Sequence, residues 1–114
     1  MTEAGTNDTL QVHLAPDGAI VASGDIDVAG GPILDAAIVE QEQQIAADGS
    51  IVIDLADVSF IDSSGLRSLL GASRRADERA GVVVLRSPSA SVQRLLEITG
   101  TTAQFRIEAG GAGA

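Results

Sequence analysis

Two adjacent serines, Ser63 and Ser64, follow Asp62 and precede Gly65 in the middle of the chain. The apolar run at 51–55 upstream is typical of a buried strand, and the residues downstream repeat at helical spacing, so both hydroxyls are predicted to lie where a helix begins. Free backbone N–H groups and the positive end of the helix dipole favour negative charge there. A serine at this position either caps the helix or serves as a phosphorylation site, and both interpretations stay open at this point.

Catalysis by these serines would require a general base. A serine nucleophile needs a histidine within hydrogen-bond reach, and the one histidine, His13, belongs to the predicted first strand. The residues Asp-Ser-Ser-Gly do not form a nucleophile elbow, and the chain has no glycine-rich loop of the P-loop type. We therefore expect no catalytic residues and a protein that is not an enzyme.

Several carboxylates occur near the serines or near the end of the predicted second strand. Asp25 and Asp27 end that strand, where aspartate is common in solvated turns. Together with Asp57 and Asp62 they offer the oxygen ligands that Mg²⁺ prefers. A solvated turn, a partner-binding turn and a metal site are all compatible with this pattern; our expectation is that the protein holds neither a metal nor a cofactor.

The composition restricts the class of protein. With 114 residues the chain is long enough for one domain with its own core, and it contains no cysteine. The net charge of −9 argues against nucleic-acid binding, which depends on cationic contacts to phosphate, and is compatible with a basic protein partner. No apolar stretch approaches the roughly 20 residues of a membrane span, and residues 1–8 lack the features of a signal peptide. We expect a cytoplasmic protein without direct membrane insertion.

The pattern along the chain predicts five strands and three helices. The turn at 16–18 closes an opening hairpin, and strands then alternate with helices, which predicts an α/β fold with later parallel strands and helices packed on a mixed sheet. The predicted strands are Thr9–Leu14, Ala19–Ser23, Ile51–Leu55, Val82–Leu85 and Phe105–Glu108, and the predicted helices run from Pro32 to about Ala47, from Ser64 to Ala80 and from Pro88 to Ile98.

The second helix has two different predicted faces. Its core face consists of Leu66, Leu69, Leu70, Ser73 and Ala76, and its outward face consists of Arg67, Ser68, Gly71, Arg74 and Glu78. Gly71 is unusual, because glycine inside a helix costs about 1 kcal/mol relative to alanine, and it would permit close approach by a partner. Arg67 lies one turn after Ser63 and could contact a phosphate there or the partner itself.

Four blocks of the sequence occur together: Gly24-Asp25-Ile26-Asp27, Asp62-Ser63-Ser64-Gly65-Leu66, Gly81-Val82-Val83-Val84-Leu85-Arg86, and a helix that begins at Pro88 and stops at Thr99-Gly100. In this order and register they resemble the STAS domain, and more narrowly the anti-sigma factor antagonists. The resemblance covers residues 9–108, and we expect flexible ends at 1–8 and 109–114. STAS domains usually finish with a fourth helix, whereas only a glycine–alanine tail follows the last predicted strand here. We therefore expect either that this helix is absent or that the chain is truncated.

The resemblance implies that Ser63 is phosphorylated, with Ser64 as the alternative site. Dephosphorylated antagonists of this family bind an anti-sigma factor serine kinase and so release a sigma factor; phosphorylation by that kinase, with its own nucleotide and Mg²⁺, ends the interaction, and a PP2C-type phosphatase resets it. The residues expected to bind the kinase are Asp25, Asp27, Asp62, Ser64, Gly65, Arg67, Ser68, Gly71 and Arg74. The alternative within the family is a STAS subunit of a transporter, of a lipid-transport complex or of a stress-sensing assembly.

Overall fold

Five strands form one mixed sheet in this computed structural model, which describes residues 9–46 and 48–109. The strands are β1 (Gln11–Leu14), β2 (Ile20–Ile26), β3 (Ser50–Ile61), β4 (Val82–Arg86) and β5 (Arg106–Glu108). Their order across the sheet follows their order in the sequence. The pair β1–β2 is antiparallel and the later pairs are parallel, which confirms the predicted mixed α/β fold.

β3 contains 12 residues and continues well beyond the strand predicted at 51–55. Its pairing with β2 shifts register by one residue at two places, so that two bulges interrupt the ladder. The buried residues Leu55, Val58 and Ile61 are consequently three positions apart instead of two. The predicted end of the strand at Leu55 was wrong: the apolar run stops there, and the bulges remove the apolar–polar alternation that would have indicated its continuation.

Three α-helices connect the parallel strands: α1 (Gly30–Glu42), α2 (Ser63–Glu78) and α3 (Ala90–Thr99). A short 3₁₀ helix at 102–104 precedes β5. α1 packs against α2 and β2, α2 also packs against β4, and α3 packs against β3. α1 and α2 therefore lie side by side, and residues of both helices line a groove between them.

The bounds of α1 and the start of α3 differ from the prediction for local reasons. α1 begins before Pro32 and stops at Glu42, after which the Gln44 N–H donates to the Gln41 carbonyl at 2.9 Å in a tight turn. α3 begins at Ala90 rather than Pro88, because Ser89 has an extended backbone and its Oγ accepts a hydrogen bond from the Val92 N–H at 3.5 Å.

The second half of β3 extends beyond β4, which pairs only with residues 50–54. α3 covers part of the free edge that results. The Ser89 N–H donates to the Leu55 carbonyl at 3.3 Å, and the Ser91 Oγ donates to the Ser59 carbonyl at 3.1 Å. These contacts satisfy backbone groups that a neighbouring strand would otherwise bind, and they fix the strand that leads into α2.

The hydrophobic core includes residues from the sheet and all three helices. From α2, the predicted residues Leu66, Leu69 and Ala76 are buried, and the buried Ser73 donates from Oγ to the Gln104 carbonyl at 2.8 Å. Leu70 is half-buried and packs against the edge of the core. The predicted core face of this helix is thus confirmed, and the face sets the direction of the remaining α2 side chains.

Of the predicted flexible ends at 1–8 and 109–114, residues 1–8 and 110–114 lie outside the described residues. The prediction that a fourth helix is absent also concerns residues outside the described part of the chain. The last element described is β5, and Ala109 after it is exposed. Within residues 9–46 and 48–109, no helix is both long and apolar enough to cross a membrane.

Candidate functional site

The first turn of α2 is capped by Asp62 and not by either serine. Asp62 has an extended backbone, and its Oδ1 accepts hydrogen bonds from the Ser64 N–H at 2.8 Å and the Gly65 N–H at 3.2 Å. This is the geometry of an N-cap, and it corrects the interpretation in which a serine caps the helix. Ser63 is the first helical residue and is exposed, whereas Ser64 is half-buried.

The start of α2 lies directly against the end of β2. The Asp62 N–H donates to the Ile26 carbonyl at 3.3 Å. A Cβ on Gly65 would collide with that same carbonyl oxygen, and would lie 2.6 Å from Ile26 Cγ2 and 2.9 Å from Ile61 Cγ1. Only glycine permits this approach, so Gly65 is buried and acts by positioning the helix start.

The two aspartates of the first acidic block have different environments. β2 continues to Ile26, so Asp25 lies within the strand, opposite Phe60, rather than in a turn. Asp27 follows the strand, and its Oδ1 accepts a hydrogen bond from the Gly30 N–H at 2.8 Å at the start of α1. Since Ile26 contacts Asp62 through the backbone, Asp27 and the serine motif belong to the same end of the sheet.

No three acidic or histidine side chains among residues 9–46 and 48–109 come close enough together to hold a metal ion. Asp62 and Asp27 each use a carboxylate oxygen for backbone N–H groups. Asp57 pairs in the ladder of β3, opposite Ser23. The exposed His13 lies on β1, which β2 separates from β3.

Part of the predicted outward face of α2 is correctly placed, but Ser68 is not on it. Arg67 and Arg74 are exposed and Gly71 is half-buried, with only Arg75 Nη1, at 3.5 Å, near the position of a Cβ. Ser68 is 7% exposed, and its Oγ donates to the Gly31 carbonyl at 3.4 Å. The predicted outward orientation of Ser68 was wrong, because α1 packs over this side of α2.

A groove of about 310 Å³ separates the exposed surfaces of α1 and α2. Five of the predicted partner-binding residues line it: Ser64, Arg67, Ser68, Gly71 and Arg74. Its other lining residues were not predicted from the sequence; they are Val28, Gly31, Pro32, Asp35 and Arg75. Of these, Val28 is 73% exposed, and a lone apolar residue between Asp27 and the next helix was a signal available in the sequence.

The arginine side chains in and beside the groove differ in whether a carboxylate is paired with them. The Arg75 Nε donates to both carboxylate oxygens of Glu42 at 3.1 Å, and Arg79 Nη1 lies 3.9 Å from the same carboxylate. Arg67 and Arg74 form no ion pair with another described residue. The groove thus contains two guanidinium groups with which no described carboxylate is paired, and which can therefore bind an anionic group.

Comparison with known proteins agrees with this architecture. The STAS domain family matches residues 16–111, and the chain therefore belongs to the STAS domain family. Within that family it is similar to the anti-sigma-B factor antagonist of Bacillus subtilis (strain 168), with 33% identity over 91 residues, which cover 80% of this chain and 73% of the relative.

Solved structures of anti-sigma factor antagonists have the same fold. SpoIIAA in its unphosphorylated form matches with a TM-score of 0.66 at 25% identity, covering 87% of both chains. The phosphorylated form of SpoIIAA, from Bacillus, matches with a TM-score of 0.62 at 24% identity over 87% of this chain and 90% of its own. An anti-sigma factor antagonist from Mycobacterium paratuberculosis gives a TM-score of 0.72 at 24% identity, over 94% of this chain and 90% of its own.

Proposed function

We propose that this protein is an anti-sigma factor antagonist, a binding module without catalytic activity. Unphosphorylated, it sequesters an anti-sigma factor that is a serine kinase, and so releases a sigma factor. The observation that carries the proposal is the exposed Ser63 at the first position of α2, beside a cap that Asp62 provides independently. The similarity to an anti-sigma-B factor antagonist supports the class of partner.

Phosphorylation of Ser63 changes the charge of the site and leaves the fold intact. A phosphate adds a charge of about −1.5 to −2 at neutral pH. The N-terminus of α2 offsets this at an exposed site by only about 0.3–1 kcal/mol, and the neighbouring Asp62 opposes it. Because the Asp62 cap needs no hydroxyl from Ser63, helix α2 keeps its start in both states. The modification therefore acts on docking, and a PP2C-type phosphatase reverses it.

The partner surface surrounds Ser63 on two sides. On the β2–α1 side it includes Asp25 and Asp27, together with the exposed Val28. On the α2 side it includes Asp62, Ser64, Arg67, Gly71 and Arg74, while Gly65 and Ser68 lie beneath and hold the helix in position. A kinase that docks here has the Ser63 hydroxyl within the interface, which explains how one contact serves both binding and phosphorylation.

The proposal is tested on protein recovered from its native cells. Mass spectrometry should place the phosphate on Ser63, and a kinase-like protein should co-purify with the unphosphorylated chain. Ser63→Ala should fold, lose phosphorylation and keep binding, whereas Ser63→Asp should bind more weakly; Ser64→Ala is the matched control that should still be phosphorylated. A phosphate found on Ser64 with Ser63 bare would overturn the assignment, and co-purification of a transporter instead of a kinase would overturn the class of partner.

The α2 side of the surface has its own test in Gly71→Glu. A Cβ at this position meets only the end of the Arg75 side chain, and glutamate has a better helix propensity than glycine by several tenths of a kcal/mol, so the isolated domain should be as stable as before or slightly more so. In an interface, the same side chain adds bulk and a charge, which costs several kcal/mol if it is buried unpaired. Unchanged affinity for the kinase would show that this face does not bind it.

A further inference from the structure

The groove between α1 and α2 is positively charged in a chain that is strongly acidic. Arg67, Arg74 and Arg75 line it against a single carboxylate, Asp35, although the net charge of the chain is −9. Glu42 binds Arg75, whereas Arg67 and Arg74 have no ion pair among the described residues. The groove is thus suited to an anionic group, unlike most of the protein surface.

Arg67 also lies one helical turn after Ser63. Residues at i and i+4 are neighbours on a helix surface, with Cβ atoms about 5–6 Å apart. Both side chains are exposed, and Arg67 lines the groove next to Ser64. A guanidinium group can bind a phosphate through two parallel hydrogen bonds. Because Arg67 lies one turn after Ser63, its guanidinium group can reach a phosphate on Ser63. Arg74 lies about three turns from Ser63, so its guanidinium group cannot reach that phosphate.

Resting on the function proposed above, we infer that the switch acts through Arg67. In the unphosphorylated protein, Arg67 binds a carboxylate on an acidic segment of the partner that docks in the groove. Phosphorylated Ser63 then captures Arg67 within the same helix and withdraws it from the partner. The phosphate competes well, because it is tethered one turn away and carries a larger charge than a carboxylate.

Capture of Arg67 and simple repulsion make opposite predictions. If the phosphate weakens binding only by repelling an acidic partner or by steric hindrance, removal of the nearby Arg67 leaves the penalty of phosphorylation unchanged or increases it. If the phosphate acts by capture, the penalty shrinks when Arg67 is absent, since the contact that phosphorylation removes has already been lost. The sign of the change therefore distinguishes the two mechanisms.

The first measurement requires no partner. The chain is produced with phosphoserine incorporated at position 63, and the phosphate is titrated by ³¹P NMR. Free phosphoserine has a second pKa of about 6, and the Arg67 guanidinium should lower it. We expect Arg67→Gln to raise this pKa by about 0.3 pH units, and Arg74→Gln to leave it in place. An unchanged pKa in Arg67→Gln would overturn the inference without affecting the proposed function.

The second measurement uses the kinase that co-purifies with the chain. Its affinity is measured for the unphosphorylated and the Ser63-phosphorylated forms of the wild type, Arg67→Gln and Arg74→Gln. Both substitutions should weaken binding of the unphosphorylated form about tenfold, as expected for loss of a charged contact. The penalty of phosphorylation is the ratio of the kinase's affinity for the unphosphorylated form to its affinity for the phosphorylated form. Only Arg67→Gln should reduce this ratio, by at least about threefold. An affinity ratio that stays constant or rises in Arg67→Gln would refute capture. The proposed function would still be supported if phosphorylation weakens kinase binding in the wild type.

Discussion

The two ends of α2 are held in place by different kinds of contact. At its start, the backbone is fixed by the Asp62 cap and by the close approach of Gly65 to Ile26. At its end, Arg75 and Arg79 are fixed through their side chains by Glu42 of α1, whose side chain is 14% exposed. The first arrangement uses backbone contacts and leaves the side chains of Ser63 and Arg67 exposed. In the second arrangement, the charged side chains themselves form the contacts that stabilise the fold.

This difference shows how the proposed binding site can have a rigid backbone and still expose a side chain that is available for the proposed modification. A backbone held by a cap and a glycine contact keeps its position whatever group is attached to the exposed Ser63. If the start of α2 were held by ion pairs like those of Glu42, a phosphate there would compete with them and disturb the helix.

The largest effect is expected at the backbone contact. Gly65→Ala should lower the free energy of unfolding by about 2–3 kcal/mol, because the added Cβ overlaps the Ile26 carbonyl and crowds Ile61. The matched control is Gly71→Ala in the same helix, where a Cβ meets only Arg75 Nη1 at 3.5 Å; it should raise stability by up to about 1 kcal/mol. Urea unfolding of both variants measures these changes in stability. An unaltered urea midpoint in Gly65→Ala would contradict the predicted loss.

The next effect is expected at the opposite end of the helix. Glu42→Gln should cost about 1.5 kcal/mol, because Arg75 and Arg79 lose a carboxylate that is largely shielded from water. Asp35→Asn, on the same helix and without a side-chain hydrogen bond among the described residues, is the control and should change stability by no more than about 0.5 kcal/mol. If both variants unfold at the same urea concentration, the end of α2 is not held by ion pairs.

The order of strands and helices could be predicted from the sequence because the signals that specify it are local. Apolar runs at 51–55 and 82–85 mark the central strands, and glycine at position 100 marks the end of α3 with φ +69°. The interaction of Glu42 with Arg75 could not be predicted, since the residues are 33 positions apart and only the packing of α1 on α2 brings them together. The groove is a product of the same packing, which also buries Ser68.

The position of Asp62, Ser63 and Ser64 at the start of a helix was predictable, but the residue that caps the helix was not. Asp62, Ser63 and Ser64 are all residue types that cap helices, and their spacing does not distinguish among them. The choice depends on backbone angles: Asp62 is extended, at φ −118° and ψ −170°, whereas Ser63 is already helical. The Asp62 N–H also donates a hydrogen bond to the Ile26 carbonyl on β2, a contact that no local pattern in the sequence indicates.

The third prediction concerns this cap. Asp62→Ala should lower the free energy of unfolding by about 1 kcal/mol, because the N–H groups of Ser64 and Gly65 lose their acceptor. Asp62→Asn should retain most of the stability, since asparagine caps equally well. Ser63→Ala should change stability by no more than about 0.5 kcal/mol. Thermal unfolding of the three variants provides the measurement, and a loss confined to Ser63→Ala would mean that the serine is the cap after all.

The smallest effect is expected at an exposed ion pair between the β1–β2 turn and β4, which serves as a reference for Glu42. Arg86 Nη2 lies 3.1 Å from the Asp17 carboxylate, whose side chain is 56% exposed. The hydrogen bond from the Ala19 backbone N–H, and then that from Arg86, hold the pKa of Asp17 below its ordinary value of 3.8. Because the pKa is lower in the folded state, the ionised carboxylate stabilises the fold, and this contribution is fully present at pH values above the unfolded-state pKa. The contribution is lost as the pH falls through the lower pKa of the folded state.

Asp17→Asn isolates the charge, because the asparagine oxygen can still accept the hydrogen bond from Ala19. The variant should be slightly less stable than the wild type at neutral pH, and the difference should shrink as urea titrations are repeated from about pH 7 toward about pH 3. It should also disappear at about 1 M salt, which screens exposed charges far more than the shielded pair of Glu42. The loss in Glu42→Gln should therefore survive the salt. If salt removed both losses equally, the end of α2 would be held no more firmly than the surface of the sheet, and the contrast between the two ends of the helix would fail.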